Sequence, residues 1–233
     1  MVVGFLFHTI HLSKSFWATG IFPVTNAPEG LSFFAWILVI LYIIIHIKNN
    51  IPVTGSFLTP LALLFIIIGR MLSQEPILPN PILKSAWFPI HVTLAFIGNA
   101  FFGLAFISGV MYLLQEREIK SKRVGFIYSR LPSLKVLDSL NYQCLTLGFP
   151  FLTLAIISGA VWAEQAWGSY WSWDPKETWS LITWSVYAAL LHARLNVGWR
   201  GRKAAIMSIL GFVILLFTFL GVNYLLKGLH TFS

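Results

Sequence analysis

Apolar residues run through this chain in long unbroken blocks separated by short polar clusters, without the strict alternation of a half-buried strand. Six blocks stand out, at approximately 30–48, 52–72, 88–114, 142–163, 175–195 and 204–226. Roughly 20 residues rising about 1.5 Å each cross about 30 Å of hydrocarbon, so each block predicts a transmembrane helix. A further apolar piece, Met1 to Leu12, is too short to cross and carries neither a basic n-region nor a cleavage signal. It is expected to form a partial or re-entrant element, or the end of a span that begins upstream.

Composition agrees with the pattern. The 233 residues are 57% apolar and 10% charged, against about 45–50% and about 25% in soluble domains. Eight acidic residues cannot solvate such a surface and one cysteine cannot staple it, which excludes a soluble enzyme, a disordered tail and a disulfide scaffold. The fold class expected is all-α: a polytopic membrane helix bundle of about six transmembrane helices plus a partial N-terminal element. Residues 1–233 form one integral-membrane domain with a Trp-rich loop at 162–184.

The net charge of +8 raises the question of a nucleic-acid partner, and the placement of the charges answers it. With segment 164–174 outside, the opposite face receives Lys48, Arg117, Lys120, Lys122, Arg123, Arg130, Lys135, Arg194, Arg200, Arg202 and Lys203, eleven of the sixteen basic residues. Positive-inside topology accounts for that bias, so the lipid bilayer is the partner implied and no nucleic acid is needed.

Six of the ten tryptophans lie between positions 162 and 184: Trp162, Trp167, Trp171, Trp173, Trp179 and Trp184. An interfacial aromatic belt is the plain structural reading, but a belt spreads over every span. Concentration in one loop favours a hydrophobic platform for a flat aromatic ligand. Within it, Asp174-Pro175-Lys176-Glu177 also reads as a helix start, with Asp174 at the N-cap, Pro175 at the first helical position and Glu177 reaching back. Asp174 is open to both roles, cap and ligand contact.

Imidazoles at membrane depth are costly and mark candidate sites. His91 stands at the outer mouth of the third span and His230 just beyond the sixth, both on the face of the aromatic loop. Two imidazoles over flat apolar rings suit the axial ligation of heme iron, whereas a tetrahedral zinc site would have to recruit Asp174, Glu164 or Glu177. His192 lies about 25 Å further along the fifth span, behind Ser185, Ala188 and Ala189. That small-residue face admits either a porphyrin or a neighbouring helix. Arg70, Lys84, Lys176 and Lys227 are candidate counter-charges for propionates. Cys144 is alone, so there is no dithiol for electron shuttling and no C-x-x-C-H for covalent heme; there is also no phosphate-binding loop for ATP-driven export.

The run from Trp167 through Trp171-Ser-Trp173-Asp174-Pro175-Lys176-Glu177-Thr-Trp179 to Trp184 closely resembles the WWD signature of heme-handling proteins. Its D-P-K-E-T-W continuation is similar to the CcsA/ResC type of the system II cytochrome c synthase. The resemblance extends from Gly20-Ile21-Phe22-Pro23-Val24-Thr25-Asn26 to Gly228-Leu229-His230. It implies a heme channel and holocytochrome-c synthase (heme lyase) subunit that binds heme b and works with a ResB-like membrane partner. Heme would be presented at the outer face to the C-x-x-C-H thiols of an apocytochrome c. The family's external heme histidines fall on His91 and His230, its in-membrane histidine on His192, and its WWD residues on Trp167, Trp171, Trp173, Asp174 and Trp179. The membrane implied is a bacterial inner membrane or a thylakoid, with the loop extracytoplasmic. In this branch the chain is short, and Ile21 stands where many relatives carry histidine.

Two other functions compete with the synthase: a heme exporter or chaperone without ligation activity, and a b-type electron-transfer cytochrome. The latter normally pairs its histidines within the bundle, whereas this chain offers an outer pair and one isolated deep histidine.

Overall fold

A computed structural model describes residues 2–49, 51–72, 85–122 and 125–222. Its helices are α1 (Val2–Thr19), α2 (Ala27–Asn49), α3 (Val53–Met71), α4 (Trp87–Lys120), α5 (Phe126–Arg130), α6 (Leu134–Trp167), α7 (Pro175–Asn196) and α8 (Arg202–Leu216). A π-helical turn, Phe217–Gly221, continues α8. No strand occurs among the described residues, and the chain is an all-α polytopic bundle. Among the described residues, five helices are long and apolar enough to cross a membrane: 27–48, 53–71, 87–120, 134–167 and 202–221.

Three features depart from the hydrophobic pattern. α7 forms where the fifth span is expected, with 22 residues, but it is not among those five, because Lys176, Glu177, His192, Arg194 and its aromatic residues dilute its aliphatic content. The expected loop 115–141 is largely helical: α4 and α6 each run to 34 residues, about 51 Å and well beyond the hydrocarbon thickness. Their polar ends are held by local chemistry. Lys120 pairs with Glu116 one turn back at 2.9 Å, and Ser133 caps α6 by accepting the Val136 amide. The N-terminal piece is also longer than expected, since α1 continues past Leu12 through Lys14 and Trp17. Its His8 hydrogen-bonds Ser32 at 2.8 Å, and Trp36 Nε1 donates to Thr9.

α4 and α6 form the most extensive pair. Glycine permits their close approach: a Cβ on Gly98 would lie 2.9 Å from the Leu152 backbone nitrogen, and one on Gly148 would lie 3.1 Å from the Gly98 carbonyl. Small residues at such crossings let membrane helices gain dispersion contact where no hydrophobic force drives them together. α8 packs along α4, α7 lies against α6 and α8, and α2 joins α3 to α4. Phe34, Phe65, Phe96 and Phe219 interlock in the centre with ring centroids 5.0 to 6.1 Å apart.

The two ends of the bundle differ in chemistry. At the basic end, the buried Arg194 guanidinium donates to Asn141 Oδ1 at 3.2 Å and to Asp138 Oδ2 at 3.1 Å. Asn141 in turn donates to the Ala105 carbonyl and to Ser208 Oγ, so one polar cluster ties α4, α6, α7 and α8 together. At the opposite end, α6 stops at Gly168, whose positive φ of 76° closes the helix. The tryptophan loop follows.

Candidate functional site at the tryptophan loop

His91 is the fifth residue of α4, and its ring lies against α6. Nδ1 sits 2.8 Å from the Ala155 carbonyl oxygen. A carbonyl only accepts, so Nδ1 carries a hydrogen, and in the neutral tautomer that this contact selects the ring's lone pair is on Nε2. The imidazole is parallel to the Trp162 indole, with centroids 6.1 Å apart and planes 13° apart. Trp162 is buried between Phe88, at 5.4 Å, and Trp167, at 5.4 Å and 73°. Ser85 Oγ donates to Gln165 Oε1 at 2.8 Å, which fastens the start of α4 to the end of α6.

The loop between α6 and α7 is held from below by reciprocal caps. Asp174 Oδ1 accepts the backbone amides of Lys176 at 2.9 Å and Glu177 at 3.1 Å. Glu177 Oε2 accepts those of Ser172 at 2.8 Å and Asp174 at 3.3 Å. Both carboxylates are buried. This is the capping box expected from Asp174-Pro175-Lys176-Glu177, and it extends two residues further than the motif requires.

The six tryptophans do not share one plane. Trp171 and Trp173 meet edge to face at 5.8 Å and 87°, with Trp173 70% exposed. Trp173 also holds a φ of 58°, in the left-handed region that costs a non-glycine residue free energy. Trp179 packs on Phe217 of the π turn at 4.5 Å. Trp184 lies deeper, where its Nε1 donates to Thr153 at 2.9 Å. The cluster divides into packed rings, which shape the floor, and the Trp171–Trp173 pair, which the caps raise toward the surface.

His192 stands apart from this cluster. It is eighteen residues along α7 from Asp174, about 27 Å, and its ring is exposed and bonded to Asn196 Nδ2 at 2.9 Å. The expected face of Ser185, Ala189 and His192 does form, on the outside of the described bundle, with Ala188 partly covered. His230, Lys84 and Lys227 lie outside the described residues. Arg70 is exposed in the last turn of α3, and Lys176 is partly buried in the first turn of α7. Cys144 is buried in α6. Among the described residues, no three His, Cys, Asp or Glu side chains gather as a metal ion would need.

Sequence reasoning missed two features at this end. The acceptor of His91 is a backbone carbonyl on another helix, which no side-chain pattern reports. A second capping arrangement opens α2: Asn26 accepts the Glu29 amide at 2.8 Å, while Glu29 accepts Thr25 N at 2.8 Å and Thr25 Oγ1 at 2.7 Å. The N-x-x-E spacing was the available signal.

Residues 24–230 match the Cytochrome C assembly protein family, a stretch that takes in His91, the whole tryptophan loop and His230. The chain belongs to that family. It is 36% identical to the cytochrome c biogenesis protein CcsA of Pyropia yezoensis, over 97% of this chain and 83% of that protein. With the CcsA proteins of Guillardia theta and Parasynechococcus marenigrum (strain WH8102), identity is 38% and 37%, again over 97% of this chain and over 81% and 82% of theirs. The match begins at Val24, so α1 lies outside the family region.

Proposed function

We propose that this chain matures c-type cytochromes by carrying heme b across or to the outer face of its membrane and presenting it for thioether attachment to apocytochrome c. The observation that carries the reading is His91: a half-buried imidazole in the first turns of α4, parallel to Trp162, with Nδ1 hydrogen-bonded to the Ala155 carbonyl. Metal-ligating histidines characteristically donate their second ring N–H to a carbonyl or carboxylate, which fixes the tautomer and the ring's orientation. The residues therefore fit heme iron on one side, with His91 Nε2 as ligand. The family's second external histidine falls on His230.

Heme is the substrate, and what it supplies is a pair of vinyl groups. Each cysteine thiol of a C-x-x-C-H segment adds across one vinyl double bond, sulfur to one carbon and hydrogen to the other, with no oxidant consumed. The chain's part is to bind, orient and exclude water. Trp171 and Trp173 offer apolar edges near the surface, Asp174 and Glu177 hold those rings at a fixed angle, and Arg70 and Lys176 offer positive charge at the same end of the bundle. The sequence bias of eleven basic residues toward the segments opposite the loop supports an extracytoplasmic loop, in a bacterial inner or thylakoid membrane. A ResB-like subunit is the partner, and the exposed His192 face of α7 is available for loading.

The test is the absorption spectrum of the detergent-purified protein, oxidised and reduced, beside that of His91→Gly with and without imidazole. A low-spin heme spectrum that is lost in the variant and restored by imidazole supports the reading. Heme absent even with a ResB-like subunit co-expressed overturns it. Cytochrome c matured only when both subunits are present separates a synthase from a chaperone, which would bind heme without maturation.

A further inference from the structure

Ala155, Gly159 and Trp162 lie on one face of α6, at spacings of four and three residues, and His91 of α4 rests on that face. Each contributes something different. The Ala155 carbonyl accepts from Nδ1 at 2.8 Å, and the Trp162 indole lies parallel to the ring. Gly159 contributes the absence of a side chain: a Cβ built there would stand 2.7 Å from both His91 Cε1 and Nδ1. Real Cβ atoms do not tolerate such a distance, so any residue other than glycine at 159 must push the imidazole off the carbonyl.

In a regular helix the Ala155 carbonyl already accepts the amide of residue 159. Here it also receives Ser158 Oγ at 3.1 Å and the imidazole. An acceptor shared in this way is reachable only where the helix surface is bare, which is the condition that Ala155 and Gly159 create. Without the Nδ1 hydrogen bond the neutral ring would be free to carry its proton on either nitrogen, and the form protonated on Nε2 cannot bind a metal through that atom.

We propose that Ala155 and Gly159 are positioning residues for His91. The carbonyl fixes the tautomer, the missing Cβ admits the ring, and together they make Nε2 the nitrogen offered to iron. This rests on the heme reading above, but its first consequence is independent of heme. In heme-free protein labelled with nitrogen-15 histidine, the His91 signals, assigned by their loss in His91→Gly, report a single tautomer with the proton on Nδ1. Gly159→Ala converts them to a mixture or to the opposite tautomer.

The second consequence separates positioning from a packing role. His91→Gly leaves a cavity that a free azole can fill. Imidazole ligates iron through one nitrogen and donates to Ala155 through the other, whereas 1-methylimidazole ligates equally well but has no N–H to donate. Restoring the low-spin spectrum is expected to need about tenfold more 1-methylimidazole than imidazole, the factor for one lost hydrogen bond. Equal potency of the two azoles, or a parent His91 protonated on Nε2, overturns the proposal. A parent that takes up no heme even with a ResB-like subunit co-expressed, but whose His91 shows the Nδ1-protonated tautomer, shifted by Gly159→Ala, overturns the heme reading and supports the seat.

Discussion

Glu177 caps a segment longer than its own helix, for its Oε2 reaches both the Asp174 amide and, five residues back, the Ser172 amide at 2.8 Å. The Asp174–Glu177 pair thus closes α7 and also fastens the strand of chain that bears Trp171 and Trp173. Replacing Glu177 by Ala leaves two amides without their acceptor in a buried place, at a cost of about 1–2 kcal/mol for the cap alone. Glu177→Gln keeps one acceptor oxygen and is expected to lose less. Thermal unfolding of the purified protein, followed by tryptophan fluorescence, orders the variants as parent, Gln, Ala. Under the proposed heme role the Ala variant is also expected to lose heme affinity, because Trp171 and Trp173 are no longer held at one angle.

Trp173 carries the backbone cost of that loop. Its φ of 58° is the conformation glycine adopts freely, and its ring is 70% exposed, so removing the side chain forfeits little burial. Trp173→Gly is expected to be more stable than Trp173→Ala by about 1 kcal/mol, with both impaired in heme retention. Paired melting curves and heme titrations check the ordering. If the Ala and Gly variants melt together, the left-handed turn costs nothing.

At the basic end, Arg194 is the buried hub of the cluster that joins four helices. Arg194→Ala leaves Asp138 and Asn141 without their common donor, and breaking a buried pair in this way costs about 3–5 kcal/mol. The lower part of that range applies, because Asp138 is 21% exposed in its side chain and keeps the Gly201 amide at 2.8 Å. Adding Asp138→Asn removes the stranded charge and is expected to recover part of the loss. Denaturation midpoints of the single and double variants measure the coupling directly.

Much of this architecture was legible because a bilayer allows so few solutions. Long apolar runs located α2, α3 and the start of α8 to within a few residues and found the apolar middles of α4 and α6, and the Asp174 cap was written in a four-residue motif. The helix ends escaped because hydropathy stops where the membrane stops. α4 and α6 continue past it on Glu116–Lys120 pairing and the Ser133 cap, which no apolar count records. In the candidate site, residue types singled out His91 and the tryptophans, whereas their geometry was hidden. Ala155 acts through its backbone and Gly159 through having no side chain. Such contributions carry no chemical signature in a sequence.

Two glycines on facing helices offer the sharpest contrast in how a missing side chain is used. Alanine is the better helix former by about 0.5–1 kcal/mol, so Gly→Ala stabilises a helix unless the new methyl meets something. At Gly98 it meets the Leu152 backbone nitrogen at 2.9 Å and the Gly148 carbonyl at 3.2 Å, neither of which moves without separating α4 from α6. Overpacking of that kind costs about 1–3 kcal/mol, which exceeds the propensity gain. At Gly159 the methyl meets the tip of His91, and a side chain yields more cheaply than a backbone. Gly98→Ala is therefore expected to lower the melting temperature, while Gly159→Ala leaves it nearly unchanged and lowers heme content. A Gly159→Ala protein that melts as early as Gly98→Ala and binds heme normally would mean that His91 is held by packing alone.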